Sequence, residues 1–202
     1  MEKSKKVLLI NTHLTYPNWS EGTLNNSFVQ KAKDFFESKS FEVLETKVED
    51  GYNPEVEVEK HLQADIVILQ TPINWFGAPW IYKKYVDEVF NSGFANKSLL
   101  TGDGRTNEDP TKQYGSGGLM QGRKFMISAT WNAPAEAFDN LNQKLFAGKG
   151  LTDIFLHITS NYRFSGYDII DSYNCFDIYR LGDMAKDLEN YPNHLENYLL
   201  QK

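Results

Sequence analysis

Two short apolar runs constrain the fold more than any other feature of this 202-residue sequence. Lys6–Asn11 and residues 64–70 are apolar without alternation, and polar or turn-forming residues follow each of them. This pattern is typical of a strand that is buried on both faces of a parallel sheet. The sequence therefore predicts a parallel sheet with these two strands near its centre.

Weaker patterns extend the predicted sheet to five strands. Residues 41–46 alternate between apolar and polar as an edge strand does, and residues 124–129 and 154–158 are short apolar runs. Residues 167–173 are a candidate for an additional strand. One or two closing helices are expected between Ile178 and Leu200.

Helical spacing of apolar residues separates these strands. Helices are expected to begin near Gly22, Pro54, Pro79 and Pro134, the last one running through Ala137, Leu141 and Leu145. Strands that alternate with helices predict one α/β domain over residues 1–202, a doubly wound parallel sheet with helices on both faces. In such sheets the ligand binds beyond the carboxyl ends of the strands.

Composition and charge narrow the function classes. The net charge is −6 and no Lys/Arg cluster is longer than a pair, so nucleic acid is not an expected partner. No apolar run approaches the roughly 20 residues of a membrane span, and we expect a cytoplasmic protein without an integral membrane segment. The single cysteine, Cys175, excludes an internal disulfide and is expected to be a packed thiol. The four histidines lack metal-ligand spacing, so no metal is expected.

The segment after the first strand leads directly into the first helix. Backbone N–H groups at this helix start would face the ligand crevice, a geometry that binds phosphate. The residues concerned are Ser20, Glu21, Gly22 and Thr23, with Asn25 as a further donor. On this loop alone, helix capping by Ser20 or Asn18 is the simpler explanation. His13 is expected to be a solvated loop histidine rather than a phosphate contact.

Two further strand ends carry tryptophan in short proline-containing loops. Residues 71–80 (TPINWFGAPW) follow the second central strand, and residues 130–134 (TWNAP) follow the fourth. Trp80 is expected to cap the core, whereas Trp75 is expected to face a ligand. Together the two loops suit an isoalloxazine ring, because backbone N–H groups there would stabilise the negative charge that a flavin gains on reduction.

The sequence contains no P-loop and no calcium-binding loop. Residues 117–124 lack the lysine and hydroxyl positions of a P-loop, and Asp103, Glu108 and Asp109 lack the ligand alternation of a calcium loop. Residues 96–122 form a long aperiodic segment, which predicts either a functional lid or an interface arm.

Several ordered motifs resemble those of a known family, the flavodoxin-like NAD(P)H:quinone reductases, in the branch called modulator of drug activity B. The resemblance covers most of the chain. It is carried by Gly77-Ala78-Pro79-Trp80, Lys83-Lys84-Tyr85, Asp87-Glu88-Val89-Phe90, Asp103-Gly104-Arg105-Thr106, Asp109-Pro110, Tyr114-Gly115-Ser116-Gly117-Gly118-Leu119 and Thr130-Trp131-Asn132-Ala133-Pro134. The chain has Ile73-Asn74-Trp75 where that family commonly has Gly-Trp-Trp.

The resemblance implies a flavodoxin-like fold, bound FAD rather than FMN, a homodimer, and two-electron reduction of quinones by NADPH. It implies that the pyrophosphate and ribityl side contacts Ser20, Glu21, Gly22, Thr23, Leu24, Asn25, Asn26 and Ser27. It places the ring against Ile73, Asn74, Trp75, Phe76, Thr130, Trp131, Asn132 and Ala133. Tyr114 would touch the cofactor, with that of the partner subunit as one possibility, and is the candidate for a catalytic hydroxyl.

The resulting hypothesis is a ping-pong enzyme in which hydride passes from NADPH to the flavin and then to a quinone in the same cavity. The catalytic chemistry is carried by the flavin, so no protein nucleophile is assigned. Two alternatives stay open: a regulatory or ancillary subunit of a potassium efflux system, and a flavodoxin-type one-electron carrier. Copurification with a transporter would favour the first, and a strongly stabilised one-electron-reduced state would favour the second.

Overall fold

The computed structural model describes residues 4–200. Five parallel strands form one sheet: β1 (Lys6–Asn11), β2 (Glu42–Lys47), β3 (Ile66–Pro72), β4 (Lys124–Thr130) and β5 (Asp168–Cys175). The helices are α1 (Thr23–Ser38), α2 (Pro54–Gln63), α3 (Trp80–Ala95), α4 (Leu151–Ile154), α5 (Leu156–Ser165) and α6 (Met184–Leu195). The strand order is β2-β1-β3-β4-β5, so the prediction of a five-stranded, doubly wound parallel sheet is confirmed.

Alternate residues of the central strands enter two separate cores. Leu8 and Ile10 of β1 pack on the side of α2, α3 and α5, whereas Val7 and Leu9 pack against α1 and α6. Both faces of the central strands are therefore covered, which explains why these strands read as continuous apolar runs. Cys175 is fully buried, as expected for a packed thiol.

The fifth strand lies later in the chain than its apolar run predicted. The expected strand at residues 154–158 is wrong, because this stretch is helical and spans the end of α4 and the start of α5. Phe155 and Ile158 are buried three residues apart while Leu156 and His157 are exposed, a helical pattern that a five-residue run is too short to reveal. The candidate strand at residues 167–173 is the true β5.

The helix expected from Pro134 to Leu145 is also wrong. Only a single 3-10 turn, Ala135–Ala137, follows Pro134, and an irregular segment continues to Gly150. Leu141 and Leu145 are 88% and 65% exposed, so their helical spacing has no core surface to cover. Spacing alone does not stabilise a helix without such burial.

The long segment at residues 96–122 is anchored at its base. Leu99, Leu100 and Met120 are buried, and Leu100 pairs with Gly118 in an isolated antiparallel bridge. Most of residues 105–114 are exposed.

In the part of the chain that the structure describes, no helix is long and apolar enough to cross a membrane.

Candidate functional site

A cavity of about 1270 Å³ lies at the carboxyl edge of the sheet, where the loops after β1, β3, β4 and β5 meet. It is larger than the roughly 300–1000 Å³ of typical small-ligand sites. The carboxyl edge is where ligands bind in doubly wound sheets. Within residues 4–200, no group of three or more His, Cys, Asp and Glu side chains is arranged to hold a metal ion.

The start of α1 beside this cavity has unpaired backbone donors. Gly22 is the residue before the helix, with a left-handed φ of 79°, and no side chain caps the helix. In the described structure, the N–H groups of Thr23, Leu24 and Asn25 have no hydrogen-bond partner. The alternative explanation, capping by Ser20 or Asn18, is therefore wrong, and the free donors suit an anion.

His13 is buried, contrary to the expectation of a solvated histidine. It is only 2% exposed, and its Nε2 lies 3.1 Å from the Ser20 hydroxyl. Its ring packs beneath Gly22, where a Cβ atom would lie 2.6 Å from Nδ1 and clash. Burial lowers the pKa of His13, which favours the neutral ring at neutral pH. His13 therefore supports the loop after β1 through hydrogen bonding rather than through charge.

The loop after β3 ends in a tight turn whose tip is aromatic. Asn74 N–H donates to the Gly77 carbonyl at 2.8 Å, and Gly77 N–H returns a bond to Asn74 at 3.3 Å. Trp75 and Phe76 occupy the two central positions with φ of 50° and 70°, as in a type I′ turn. Trp75 is 92% exposed, and Phe76 packs edge-on against Phe146 at 5.8 Å.

The loop after β4 places its tryptophan differently. Trp131 is buried, its Nε1 donates to Asn174 Oδ1 at 2.9 Å, and its ring lies 5.0 Å from that of Phe138. It therefore forms a wall of the cavity rather than an exposed surface. The next two residues, Asn132 and Ala133, line the cavity with N–H groups that have no partner among the described residues.

Trp80 does not cap the core, so that expectation is wrong. It is 64% exposed at the first position of α3, and the next two residues of the helix, Ile81 and Tyr82, are the ones buried.

The structure brings eight of the predicted cofactor residues to the cavity wall: Ser20, Ile73, Asn74, Trp75, Phe76, Trp131, Asn132 and Ala133. Others lie at the start of α1 without lining the cavity. Asn25 is buried with its Nδ2 3.3 Å from Thr130 Oγ1, Asn26 accepts a bond from Asn11, and the Ser27 hydroxyl donates to the Thr23 carbonyl.

Tyr114 lies away from the cavity of its own chain. Its ring packs 5.5 Å from Phe164, close to the C-terminal end of α5, and the Arg105 guanidinium lies 5.3 Å from it. The ring is 67% exposed. The structure therefore does not bring Tyr114 to the cavity of its own chain.

Residues 176, 177 and 179–183, after β5, line the cavity, and the sequence analysis did not identify them. Arg180 is exposed there, and within residues 4–200 its guanidinium has no ion-pair or hydrogen-bond partner. Tyr16 and Trp19, whose rings are 5.5 Å apart, line the opposite side. Correct placement of the fifth strand would have identified this segment, because it follows that strand directly.

The strand order and the position of the cavity define a flavodoxin-like protein. A family model described as a flavodoxin-like fold matches residues 5–199. NADPH:quinone oxidoreductase MdaB of Haemophilus influenzae is 40% identical over 177 residues, covering 88% of this chain and 91% of the relative. The chain belongs to the flavodoxin-like fold family and, within it, to the family of modulator of drug activity B.

Two solved structures share the fold. A Klebsiella pneumoniae protein assigned as a candidate quinone reductase has a TM-score of 0.75 at 21% identity, with 96% of this chain and 85% of that chain covered. General stress protein 14 of Treponema denticola, solved in complex with FMN, has a TM-score of 0.66 at 19% identity, with 96% and 98% covered.

Proposed function

We propose that this protein is an FAD-dependent NADPH:quinone oxidoreductase that reduces quinones by two electrons in a ping-pong mechanism. The observation that carries the proposal is the cavity itself. It combines an aromatic turn with the N–H groups of Asn132 and Ala133, which have no partner among the described residues, and the unpaired N–H donors at the start of α1 lie beside it. The relationship to NADPH:quinone oxidoreductase MdaB supports the choice of substrates.

The residues present fit a flavin. The first turn of α1 contains no acidic residue, so its positive end is free to hold a phosphate in a protein without a lysine cluster. Phe76 and Trp131 supply apolar walls for a flat ring, and Asn132 and Ala133 supply N–H donors for its polar edge. A bound flavin would supply the hydride-transfer chemistry that these side chains lack.

The size of the cavity favours FAD over FMN. Beyond Ser20 and the two ring loops, it extends to residues 176, 177 and 179–183, where the Arg180 side chain has no partner among the described residues and Leu181 is 91% exposed. A guanidinium suits the phosphates of a dinucleotide, and exposed apolar side chains suit an adenine. FMN would leave this end of the cavity unused.

The polypeptide positions the substrates and does not supply a nucleophile. Trp75, exposed at the mouth, would stack on the nicotinamide or the quinone. We propose that both substrates enter over Trp75 and occupy the same volume, so that the nucleotide product leaves before the quinone binds. In the proposed homodimer, the exposed ring of Tyr114 would reach the cavity of the other subunit.

Cofactor analysis tests this function. We expect the purified protein to absorb visible light, to release FAD on denaturation, and to reduce menadione with NADPH. Initial-rate plots at several fixed quinone concentrations should give parallel lines, as ping-pong kinetics require. A colourless protein that cannot be reconstituted with FAD would refute the proposal.

A further inference from the structure

Three polar side chains form a buried chain beneath the first turn of α1. They are Asn25, Gln70 and Thr130, each 5% exposed or less. Gln70 Nε2 donates to Asn25 Oδ1 at 2.8 Å, and Asn25 Nδ2 donates to Thr130 Oγ1 at 3.3 Å. The chain of bonds therefore joins helix α1 to the carboxyl ends of β3 and β4.

Gln70 differs from the other buried residues on its face of β3, which are apolar. Ile66 and Ile68, on the same face of β3, pack in the apolar core against α1. Gln70 instead buries an amide whose Oε1 has no hydrogen-bond partner among the described residues. A buried polar atom without a partner destabilises a fold, so the glutamine satisfies Asn25 Oδ1 while leaving its own oxygen unpaired. The bond to Asn25, rather than apolar packing, therefore accounts for the amide at this position.

The bonds connect the start of α1, beside the cavity, to the strand end that leads into the loop after β4. Asn25 lies in the turn whose Thr23 and Leu24 N–H groups are free, and its side chain points into the core rather than into the cavity. Thr130 immediately precedes Trp131 and the free N–H groups of the loop after β4. Movement of Gln70 would therefore be transmitted through Asn25 to both groups of donors.

A separate bond restrains the same turn from β1. Asn11 Nδ2 donates to Asn26 Oδ1 at 2.9 Å. Side-chain hydrogen bonds thus fix the first turn of α1 against β1, β3 and β4, in addition to the apolar packing of the helix on the sheet.

We propose that Gln70 is a positioning residue: through Asn25 it holds the phosphate end of the cavity in register with the loop that begins at Thr130. This inference rests on the flavin site proposed above. A ligand that bridges both ends should depend on Gln70 more strongly than a ligand that occupies one end. FAD and FMN bridge both ends, whereas riboflavin has a ring and no phosphate.

The test replaces Gln70 by methionine, which keeps length and volume but removes the amide. We expect the Kd for FAD to rise about tenfold and the Kd for riboflavin to change less than twofold. The flavin midpoint potential and visible absorption bands should shift, because the donors at Asn132 and Ala133 move relative to the ring. The urea midpoint of the apoprotein should stay the same or fall slightly, because the unpaired Gln70 Oε1 is lost but Asn25 Oδ1 is left without its donor.

A second pair of variants gives the same comparison if Gln70→Met does not fold. Thr130→Val removes the hydroxyl and should weaken FAD binding, whereas Thr130→Ser keeps the hydroxyl and should restore it. Ser128→Ala is the control, because Ser128 is buried on β4 without bonding to Asn25, Gln70 or Thr130.

Three results would overturn the positioning role of Gln70. If the wild-type protein binds FAD, and Gln70→Met and Thr130→Val bind it equally tightly with an unchanged potential, the positioning role is overturned while the proposed function stands. If the wild-type protein binds no flavin, both are overturned. An equal loss of FAD and riboflavin affinity in the variants would also overturn the positioning role, because it would indicate general damage to the cavity.

Discussion

Truncation of Trp75 to alanine should weaken ligand binding without destabilising the fold. The side chain is 92% exposed at the tip of the turn, so its removal exposes almost no buried surface. Surface substitutions of this kind usually change stability by less than about 0.5 kcal/mol. Stacking of a flat ring on an aromatic side chain contributes roughly 1–3 kcal/mol. The Kd of FAD or the KM of the quinone should therefore rise roughly 5- to 150-fold.

Trp131→Ala is the matched comparison, since it removes the same side chain from a buried position. Trp131 is 2% exposed and loses both its bond to Asn174 and its contact with Phe138. Large-to-small changes of buried aromatic residues lower the free energy of unfolding by about 3–5 kcal/mol.

Asp103→Ala should change neither ligand binding nor stability strongly, because that carboxylate pairs with Arg105 on the long segment and does not line the cavity.

Urea unfolding followed by circular dichroism measures stability, and flavin fluorescence titration with menadione kinetics measures binding. The expected result is a separation: Trp75→Ala loses binding and keeps its unfolding free energy, whereas Trp131→Ala loses stability. Unchanged flavin content and unchanged quinone kinetics in Trp75→Ala would show that the assignment of this turn to the ring is wrong. A large loss of stability in that variant would refute the exposure argument.

Three further measurements probe other parts of the molecule. Burial lowers the pKa of His61 to about 3, from 6.5 in the unfolded chain, so between these values the unfolded state binds the extra proton and stability falls as the pH drops. The contribution approaches roughly 1.4 kcal/mol per pH unit, and urea unfolding between pH 7 and pH 4.5 should show a flatter profile for His61→Gln. Arg180→Ala should weaken FAD about tenfold and leave FMN unchanged in fluorescence titrations, while equal losses would contradict a dinucleotide contact. Tyr114→Ala should lower kcat/KM for menadione at least fivefold without altering the unfolding free energy, because the ring is exposed; unchanged kinetics would remove Tyr114 from the site.

Local sequence patterns were sufficient to predict a strand or a helix where all faces of the segment have the same environment. Lys6–Asn11 and most of β3 read as central strands because both of their faces are buried, so nearly every residue is apolar. The start of α2 was also readable, since Pro54 follows Asn53, whose side chain accepts bonds from the N–H groups of Glu55 and Val56. The three loops predicted to hold the ligand could be located because each directly follows a strand, and residues of all three line the cavity.

What the sequence by itself determined was the class of fold, the edge of the sheet that carries the site, and the family. The tertiary structure alone decided which side chains face the cavity. Trp75 and Trp131 look alike in sequence, but one ends exposed on a turn and the other is covered by Phe138 and bonded to Asn174. His13 is buried, and its ring packs closely against Gly22 of the same loop. Exposure depends on which segments pack together, and spacing along one segment does not contain that information.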